Sequence, residues 1–335
     1  MPSSAFTSFL RGAKAFSRKP AALIFGATAI GAGVWIAQSE WRRPHRGLST
    51  ALPDTATPRS SLSTAATSDD SAEAAATRQQ TTYVPRLLLA TGAAMIPHPA
   101  KQEKGGEDAY FIAEHCLGVA DGVGGWAEIG VDPGLYSRQL MDFAKEATAN
   151  CPPGPNAPQH LLEVAYLSTT ARGSSTACIL CLENERLHAS NLGDSGFMVV
   201  RSGELVFMSP QQQHEFNFPY QIGSADSMAD TPHAAQRFTV DVHEGDIIVA
   251  ATDGLFDNVY PDEAAALVTA SKKRGDSPDA AAAALAQYAR LKAVDPTHLS
   301  PFAYGAQQLG YRFFGGKLDD ITVVCAYVKK PSTGP

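Results

Sequence analysis

Apolar residues from position 83 onward occur in short runs separated by glycine, proline and asparagine. Runs rich in β-branched and aromatic side chains predict strands, here at 86–90, 109–113, 116–120, 176–182, 187–191, 196–201, 204–208, 237–242, 246–251 and 321–328. Helical spacing of apolar residues predicts helices at 135–150, 159–170, 261–273 and 278–293. Residues 295–317 show no clear period and are expected to form a loop or insertion. Many strands with few helices favour an α+β fold in which helices cover antiparallel sheets.

The pattern before position 83 is different. No acidic residue occurs before Glu40, whereas Arg11, Lys14, Arg18 and Lys19 lie early among serine, alanine and phenylalanine. This composition is typical of a mitochondrial targeting peptide, and we interpret residues 1–46 as such a segment. A disordered basic tail is the alternative interpretation.

Residues 21–37 carry no charge and are just long enough to span a bilayer. The sequence leaves open whether this run is retained as a membrane anchor or cleaved after import, and a secretory signal is the competing interpretation. Residues 47–82 have almost no large apolar side chains and are expected to be a disordered linker. Residues 83–330 are expected to form the folded domain.

Composition excludes some classes of function. The chain has 335 residues, 44% of them hydrophobic, and a net charge of -7, which argues against a nucleic-acid partner. Five cysteines, an odd number in a chain of this length, suggest a reducing compartment. Cys178 and Cys181 lie within a predicted buried strand, where they are expected to be core residues facing opposite sides.

Acidic residues lie next to the ends of four predicted strands. Asp121 and Asp253 follow apolar runs, Asp319 precedes one, and Glu107-Asp108 precedes another. Each acid alone is compatible with a tight turn, because Asp-Gly favours turns. Together, however, several acids at one end of a sheet would repel one another unless a cation neutralised them. Oxygen ligands favour Mg²⁺ or Mn²⁺. The sequence therefore predicts a metal site, and it contains no GxSxG, HExxH or GxxxxGK[ST] motif for a different chemistry.

An ordered set of motifs resembles the protein phosphatase 2C family. These motifs are Gly106-Glu-Asp-Ala-Tyr, Val119-Ala-Asp-Gly-Val-Gly-Gly-Trp126, Gly173-Ser-Ser-Thr-Ala177, Leu192-Gly-Asp-Ser-Gly196, Ala251-Thr-Asp-Gly-Leu-Phe-Asp257 and Asp319-Asp-Ile-Thr-Val-Val324. With Gln212-Gln-His-Glu-Phe-Asn217, they are most similar to the mitochondrial branch typified by the seventh yeast type 2C phosphatase and its animal relatives. The resemblance implies an α-β-β-α sandwich of two antiparallel sheets flanked by helices.

The resemblance also implies a set of site residues. Asp121 would bridge two Mg²⁺ or Mn²⁺ ions. The remaining metal ligands would be Glu107 and the Gly122 carbonyl for one ion, Asp253 and Asp319 for the other, and Asp194 with Asp253 for a weaker third. Asp108 would orient the water that attacks a phosphorylated serine or threonine. The implied protein is a monomeric catalytic domain that acts on phosphoproteins in the mitochondrial matrix or at the inner membrane.

The sequence departs from the family at two catalytic positions. Val123 stands where many members have a proton-donating histidine, so the acid would be a water, another side chain or the substrate itself. Glu103 replaces the arginine that binds phosphate, and Lys101 or Lys104 is the expected substitute. His214 is a further candidate for contact with the substrate. Asp320 stands where asparagine is common, which leaves open which residue of the 319–320 pair binds metal.

These departures support a second hypothesis: a catalytically silent, membrane-tethered interaction protein that has retained the fold. A third is a regulatory phosphatase that its N-terminal segment directs to another membrane. Retention of every carboxylate that the metals require favours an active enzyme.

Overall fold

The computed structural model describes residues 86–331. The predicted targeting segment 1–46, its candidate span 21–37 and the linker 47–82 lie outside the described residues. Within residues 86–331, every helix is too short or too polar to cross a membrane.

Two five-stranded antiparallel sheets lie at the centre of this region. The first sheet has the order β1 (Leu88–Ile96), β14 (Ile321–Lys329), β13 (Ile247–Ala251), β7 (Gly196–Arg201) and β8 (Glu204–Met208). The second has the order β12 (Gln236–Asp241), β6 (Arg186–Leu192), β5 (Ala177–Glu183), β3 (Cys116–Asp121) and β2 (Asp108–Ile112). Two small ribbons pair β4 (Ser174–Ser175) with β11 (Ile222–Gly223), and β9 (Gln213–Glu215) with β10 (Phe218–Pro219).

Helices cover the outer faces of both sheets. The second sheet is covered by α1 (Pro133–Ala147) and α2 (Ala157–Ser168). The first is covered by α4 (Pro261–Lys273) and α5 (Pro278–Ala293). Two shorter helices are α3 (Asp253–Phe256) and α6 (Pro301–Gln308). The α-β-β-α sandwich predicted from the sequence is confirmed.

The core has one apolar cluster between the sheets and one beneath each pair of helices. Strand β5 contributes to two of these clusters because successive side chains of a strand point to opposite faces. Cys178 and Leu180 face the other sheet, whereas Ile179 and Cys181 face α1 and α2. This burial on both faces explains why the strands appear as continuous apolar runs in the sequence.

The sequence predicts no disulfide, but the structure contains one. Cys181 is a buried core residue, as predicted, and it forms a disulfide with Cys116. The antiparallel register of β3 and β5 sets these two residues directly opposite each other. Cys151, Cys178 and Cys325 are free and buried.

The stretch 295–317, expected to be a loop, contains helix α6. Ser300 caps this helix, since its hydroxyl oxygen accepts a hydrogen bond from the Ala303 N–H over 3.0 Å. Pro301 occupies the first turn, where its missing N–H is not needed. Only Ala303 and Ala306 of the helix are buried. Two small buried residues are too weak a pattern to reveal a helix by periodicity.

Candidate metal centre

Strand pairing in the second sheet brings the first acidic residues together. Asp121, the last residue of β3, lies opposite Asp108, the first residue of β2. The Gly122 N–H donates to the Glu107 carbonyl over 3.0 Å, which continues the pairing beyond the strands. Glu107, Asp108 and Asp121 therefore lie at the same end of the second sheet.

The first sheet places its acids at the corresponding end. Asp253 begins α3 two residues after β13, and Asp319 lies two residues before β14. Strands β13 and β14 are neighbours, with Ala251 opposite Val323. The Thr252 N–H donates to the Thr322 carbonyl over 3.1 Å and keeps the two chain segments together past the end of β13.

A buried threonine joins the two sheets at this end. Thr252 Oγ1 donates to Asp108 Oδ2 over 2.8 Å and accepts from the Thr322 N–H over 3.0 Å. Asp108 belongs to the second sheet, Thr322 belongs to β14 of the first sheet, and Thr252 directly follows β13 of the first sheet. The hydroxyl of Thr252 thus sets the position of one acidic group relative to the others.

The carboxylates are close enough to influence one another's protonation. Burial raises the pKa of Asp121 well above its usual value, and the charges of Asp108, Asp253, Asp319 and Asp194 raise it further. Five aspartates far apart in the sequence therefore share one electrostatic environment. This mutual repulsion is what a bound cation would relieve.

The pKa of Asp194 shows the same effect. Burial, followed by the charges of Asp253 and Asp257, raises it to about 8. Its Oδ2 accepts a hydrogen bond from Gln213 Nε2 over 3.1 Å. Asp194 therefore lies at the margin of the cluster, on the side of β9.

Lys317 places its ammonium group among three aspartates. Its Nζ lies 2.5 Å from Asp253 Oδ2, 2.7 Å from Asp257 Oδ2 and 3.3 Å from Asp319 Oδ2. Burial acts to raise the pKa of Asp253, but the charge and hydrogen bond of Lys317 lower it below its usual value. Asp253 is accordingly an ionised carboxylate in this arrangement.

A second lysine contacts the remaining acids. Lys101 Nζ lies 2.5 Å from Glu107 Oε2, 3.2 Å from Asp320 Oδ2 and 3.8 Å from Asp319 Oδ1. Lys101 was a sequence candidate for substrate binding, and the structure brings it to the carboxylates. Lys104, the other candidate, is exposed and lines a surface depression with Tyr110 and Arg138.

Asp319 and Asp320 have different surroundings. Asp320 is buried and accepts from the backbone N–H groups of His98, over 2.6 Å, and Glu107, over 3.0 Å. Its oxygens thus fasten the segment that carries Glu107. The side chain of Asp319 is 24% exposed and faces both lysines. This difference supports Asp319 as the member of the pair that binds metal.

Close packing explains two of the glycines in the Asp-Gly motifs. A Cβ at Gly122 would lie 2.7 Å from the Pro133 carbonyl oxygen and 2.8 Å from that of Glu107. A Cβ at Gly254 would lie 1.9 Å from the Asp320 carbonyl oxygen. Each aspartate is therefore followed by the one residue that lets backbone segments approach this closely.

His214 lies in different surroundings. Its ring stacks on Tyr220 with centroids 3.8 Å apart, and its Nε2 lies 3.0 Å from Asp230 Oδ2. The neighbouring Gln213 is the residue that contacts Asp194. The role of His214 in substrate binding stays a prediction.

Sequence reasoning missed two members of the cluster, Lys317 and Asp257. Asp257 closes the motif that begins at Ala251, and burial raises its pKa to about 7 against the opposing effect of Lys317. The sequence feature that points to Lys317 is its position two residues before Asp319. A lysine and an acid this close in sequence usually form an ion pair on the surface, so this spacing does not by itself indicate a buried site residue.

The residues fit a hard divalent cation. Asp108 Oδ1 and Asp253 Oδ1 are buried without a hydrogen-bond partner, and an ion would supply one. The donors are carboxylate and carbonyl oxygens, the ligands that Mg²⁺ and Mn²⁺ prefer. Within residues 86–331, no three His, Cys, Asp or Glu side chains already surround a common ion position. The ammonium groups of Lys101 and Lys317 lie between the acids instead.

Comparison with known proteins identifies the family, although no family model matches the chain. The chain is 52% identical over 251 residues to "Probable protein phosphatase 2C 80" of Arabidopsis thaliana. The matched segment covers 74% of this chain and 60% of the Arabidopsis protein. It is 43% identical over 242 residues to "Protein phosphatase PTC7 homolog" of Danio rerio, covering 67% of this chain and 81% of that protein. The solved structure of the photosystem II phosphatase PBCP is 38% identical with a TM-score of 0.65, covering 72% of this chain and 99% of that one.

The fold is an α-β-β-α sandwich, and the chain belongs to the protein phosphatase 2C family. Its similarity to the PTC7 homolog supports the branch predicted from the sequence motifs. The chain spans about 60% of the length of the Arabidopsis relative that it matches at 52% identity.

Proposed function

We propose that this protein is a metal-dependent protein serine/threonine phosphatase that hydrolyses phosphate monoesters on phosphoproteins. The observation that carries the proposal is the convergence of Asp121, Asp253 and Asp319, which lie at or near the ends of β3, β13 and β14, into one electrostatic cluster. Membership of the phosphatase 2C family supports the same reaction.

We assign the metal-binding roles as follows. Asp121 would be the ligand shared by the metals, which fits its central place among the acids. The flanking ligands are Glu107 and the Gly122 carbonyl for one ion, Asp253 and Asp319 for the other, and Asp194 with Asp253 for a weaker third. Mg²⁺ or Mn²⁺ held by these residues would lower the pKa of water and polarise a phosphoryl group. Asp108, whose position is set by the hydrogen bond from Thr252, would orient the attacking water.

Lys101 is the better candidate for the group that holds the substrate phosphate. The ammonium group of Lys101 forms ion pairs with the carboxylates of Glu107 and Asp319, whereas Lys104 is exposed on the surface. Burial acts to lower the pKa of Lys101, but the hydrogen bond to Glu107 and the charges of Asp320 and Asp319 raise it. Lys101 therefore stays protonated and attracts a phosphate dianion as a point charge.

We further propose that residues 1–46 direct the protein to mitochondria, so that its substrates are mitochondrial phosphoproteins. The basic, acid-poor N-terminus and the similarity to the PTC7 homolog support this location. Because another relative is a photosystem II phosphatase, a plastid is the competing destination. Imaging of the full chain fused at its C-terminus to a fluorescent protein separates the two, and carbonate extraction of the organelle distinguishes a membrane anchor from a cleaved peptide.

The activity is tested with the full chain and a phosphothreonine peptide. We expect hydrolysis with Mn²⁺, none with chelator, and a loss of kcat/KM on the order of 10²-fold or more for Asp121→Asn, because the metal supplies several kcal/mol of charge stabilisation. Asp241→Asn is the matched control, since Asp241 is exposed on β12. Turnover that survives chelation would overturn the metal mechanism. Absence of turnover with any divalent ion would favour the silent interaction protein instead.

A further inference from the structure

A groove lies beside the carboxylate cluster, between helix α6 and the β9–β10 ribbon. We call it the Phe216 groove, and its volume is about 440 Å³. Its lining includes the apolar side chains Met208, Phe216, Phe256 and Phe302. Gly305, on α6, lies opposite Phe216. The volume and the apolar lining are those of a site that accepts a side chain or small ligand.

A stack of aromatic rings holds Phe216 in place. Its ring centroid lies 5.0 Å from that of Phe302 and 5.5 Å from that of Tyr311. Phe302 in turn packs edge-on against Phe313 at 4.8 Å. Phe302, Tyr311 and Phe313 thus hold Phe216 in position, so this wall is preformed and does not have to be ordered by a ligand.

Gly305 keeps the groove open. It lies within α6, where glycine is unfavourable relative to alanine. A Cβ at this position would lie 3.5 Å from Phe216 Cε2, which is ordinary contact and causes no clash. Folding therefore does not require glycine here, but any side chain longer than alanine would extend into the space in front of Phe216.

The groove is continuous with the carboxylate cluster through two shared residues. Asp257 lines the groove, and its Oδ2 accepts from Lys317 Nζ, which also contacts Asp253. Gln213 lines the groove, and its amide donates to Asp194. A molecule whose phosphate lies at the cluster would extend its adjoining atoms into the groove.

We propose that the Phe216 groove binds a large apolar side chain of the phosphoprotein substrate, close in sequence to the phosphorylated serine or threonine. The proposal rests on the proposed phosphatase function and adds a preference for the sequence around the phosphate. Its occupant is an extended phosphopeptide because the groove joins the phosphate site. The occupying side chain is apolar because most of the lining is aromatic or aliphatic, with the polar residues Ser209, Gln211, Gln213 and Asp257 making up the rest.

The test uses the full chain with Mn²⁺ and phosphothreonine peptides that carry a single phenylalanine, or alanine, at each position on either side of the phosphothreonine. We expect one phenylalanine position to raise kcat/KM about tenfold over its alanine counterpart. Gly305→Leu fills the groove and should bring this ratio to about one. Gly305→Ala should retain it. A general loss of activity in a variant lowers kcat/KM for both peptides equally, so it does not change the ratio between them.

Two further variants complete the design. Gly154→Leu is the matched control, since a Cβ there meets no atom within 4 Å, and its ratio should equal that of the wild type. Phe216→Ala removes an aromatic ring from the wall of the groove and should also reduce the ratio of kcat/KM between the phenylalanine and alanine peptides. This variant tests the proposal even if Gly305→Leu folds poorly.

The possible failures are distinguishable. A wild-type enzyme without preference at any position, or a preference that survives both Gly305→Leu and Phe216→Ala, would overturn the groove proposal while leaving the phosphatase function intact. Failure of the wild type to hydrolyse even p-nitrophenyl phosphate would overturn the proposed function and, with it, this inference.

Discussion

At the residue scale, the defining feature of the site is a balance between buried acids and two lysines. Asp121 is surrounded by other carboxylates, and Lys101 and Lys317 supply positive charge at the two sides of the cluster. Buried charges are costly unless paired. The two ammonium groups therefore contribute to the stability of the metal-free protein.

Replacing Lys317 by methionine is expected to destabilise the metal-free protein by about 3 kcal/mol, because removing one partner leaves buried charges uncompensated. In saturating Mn²⁺ the loss should be smaller, since bound ions neutralise the same aspartates. Urea unfolding in chelator and in Mn²⁺ measures both values. Lys330→Met is the control, because Lys330 is 68% exposed in its pair with Glu244 and should contribute little. An equal loss with and without Mn²⁺ would contradict this prediction.

At the element scale, a buried hydroxyl helps to join the two sheets at the site. Thr252 lies between β13 and α3, and its side chain joins Asp108 of β2 to the start of β14. Thr252 acts together with Asp320, which accepts from the Glu107 N–H and so also ties the segment before β2 to the segment before β14. The helix α6 is a second example, since it positions the wall of the Phe216 groove although it buries only two alanines.

Thr252→Val retains the shape of the side chain but leaves Asp108 Oδ2 and the Thr322 N–H without their partner. We expect a loss of about 2 kcal/mol in the free energy of unfolding, the desolvation cost of buried unpaired polar groups. Thr252→Ser keeps the hydroxyl and should lose less. Denaturant unfolding in chelator compares the two variants. A valine variant as stable as the serine variant would show that the hydroxyl does not connect the sheets.

At the scale of the whole molecule, the acids arrive from both sheets, so metal binding and folding are linked. An ion that binds only the folded protein stabilises it by mass action, by about 2.7 kcal/mol when free Mn²⁺ is about 100-fold above its Kd. Thermal unfolding at increasing Mn²⁺ should therefore show a rising midpoint. Asp121→Asn should flatten this rise, and Asp241→Asn should not. An unchanged rise in Asp121→Asn would remove Asp121 from the site.

Much of the architecture could be predicted from the sequence. The strands containing Ala177 and Ile247 are recognisable because both faces are buried, which produces uninterrupted apolar runs. The carboxylates Asp121, Asp253 and Asp319 are recognisable because each stands next to such a run. The apolar runs and the acids next to them can be predicted because both patterns involve residues that are close together in the sequence.

Other features depend on contacts between residues that are distant in the sequence. The pairing of Cys116 with Cys181 follows from strand register, and the ion pairs of Lys317 and Lys101 follow from the meeting of two sheets. The Phe216 groove forms between the β9–β10 ribbon and helix α6, which are about 90 residues apart in the sequence. The sequence by itself determined the strands of the two five-stranded sheets, the family and the positions of the acids along the chain. Only tertiary structure decided which charges neutralise those acids and which surface lies beside them, because electrostatic and packing energies depend on distances in space.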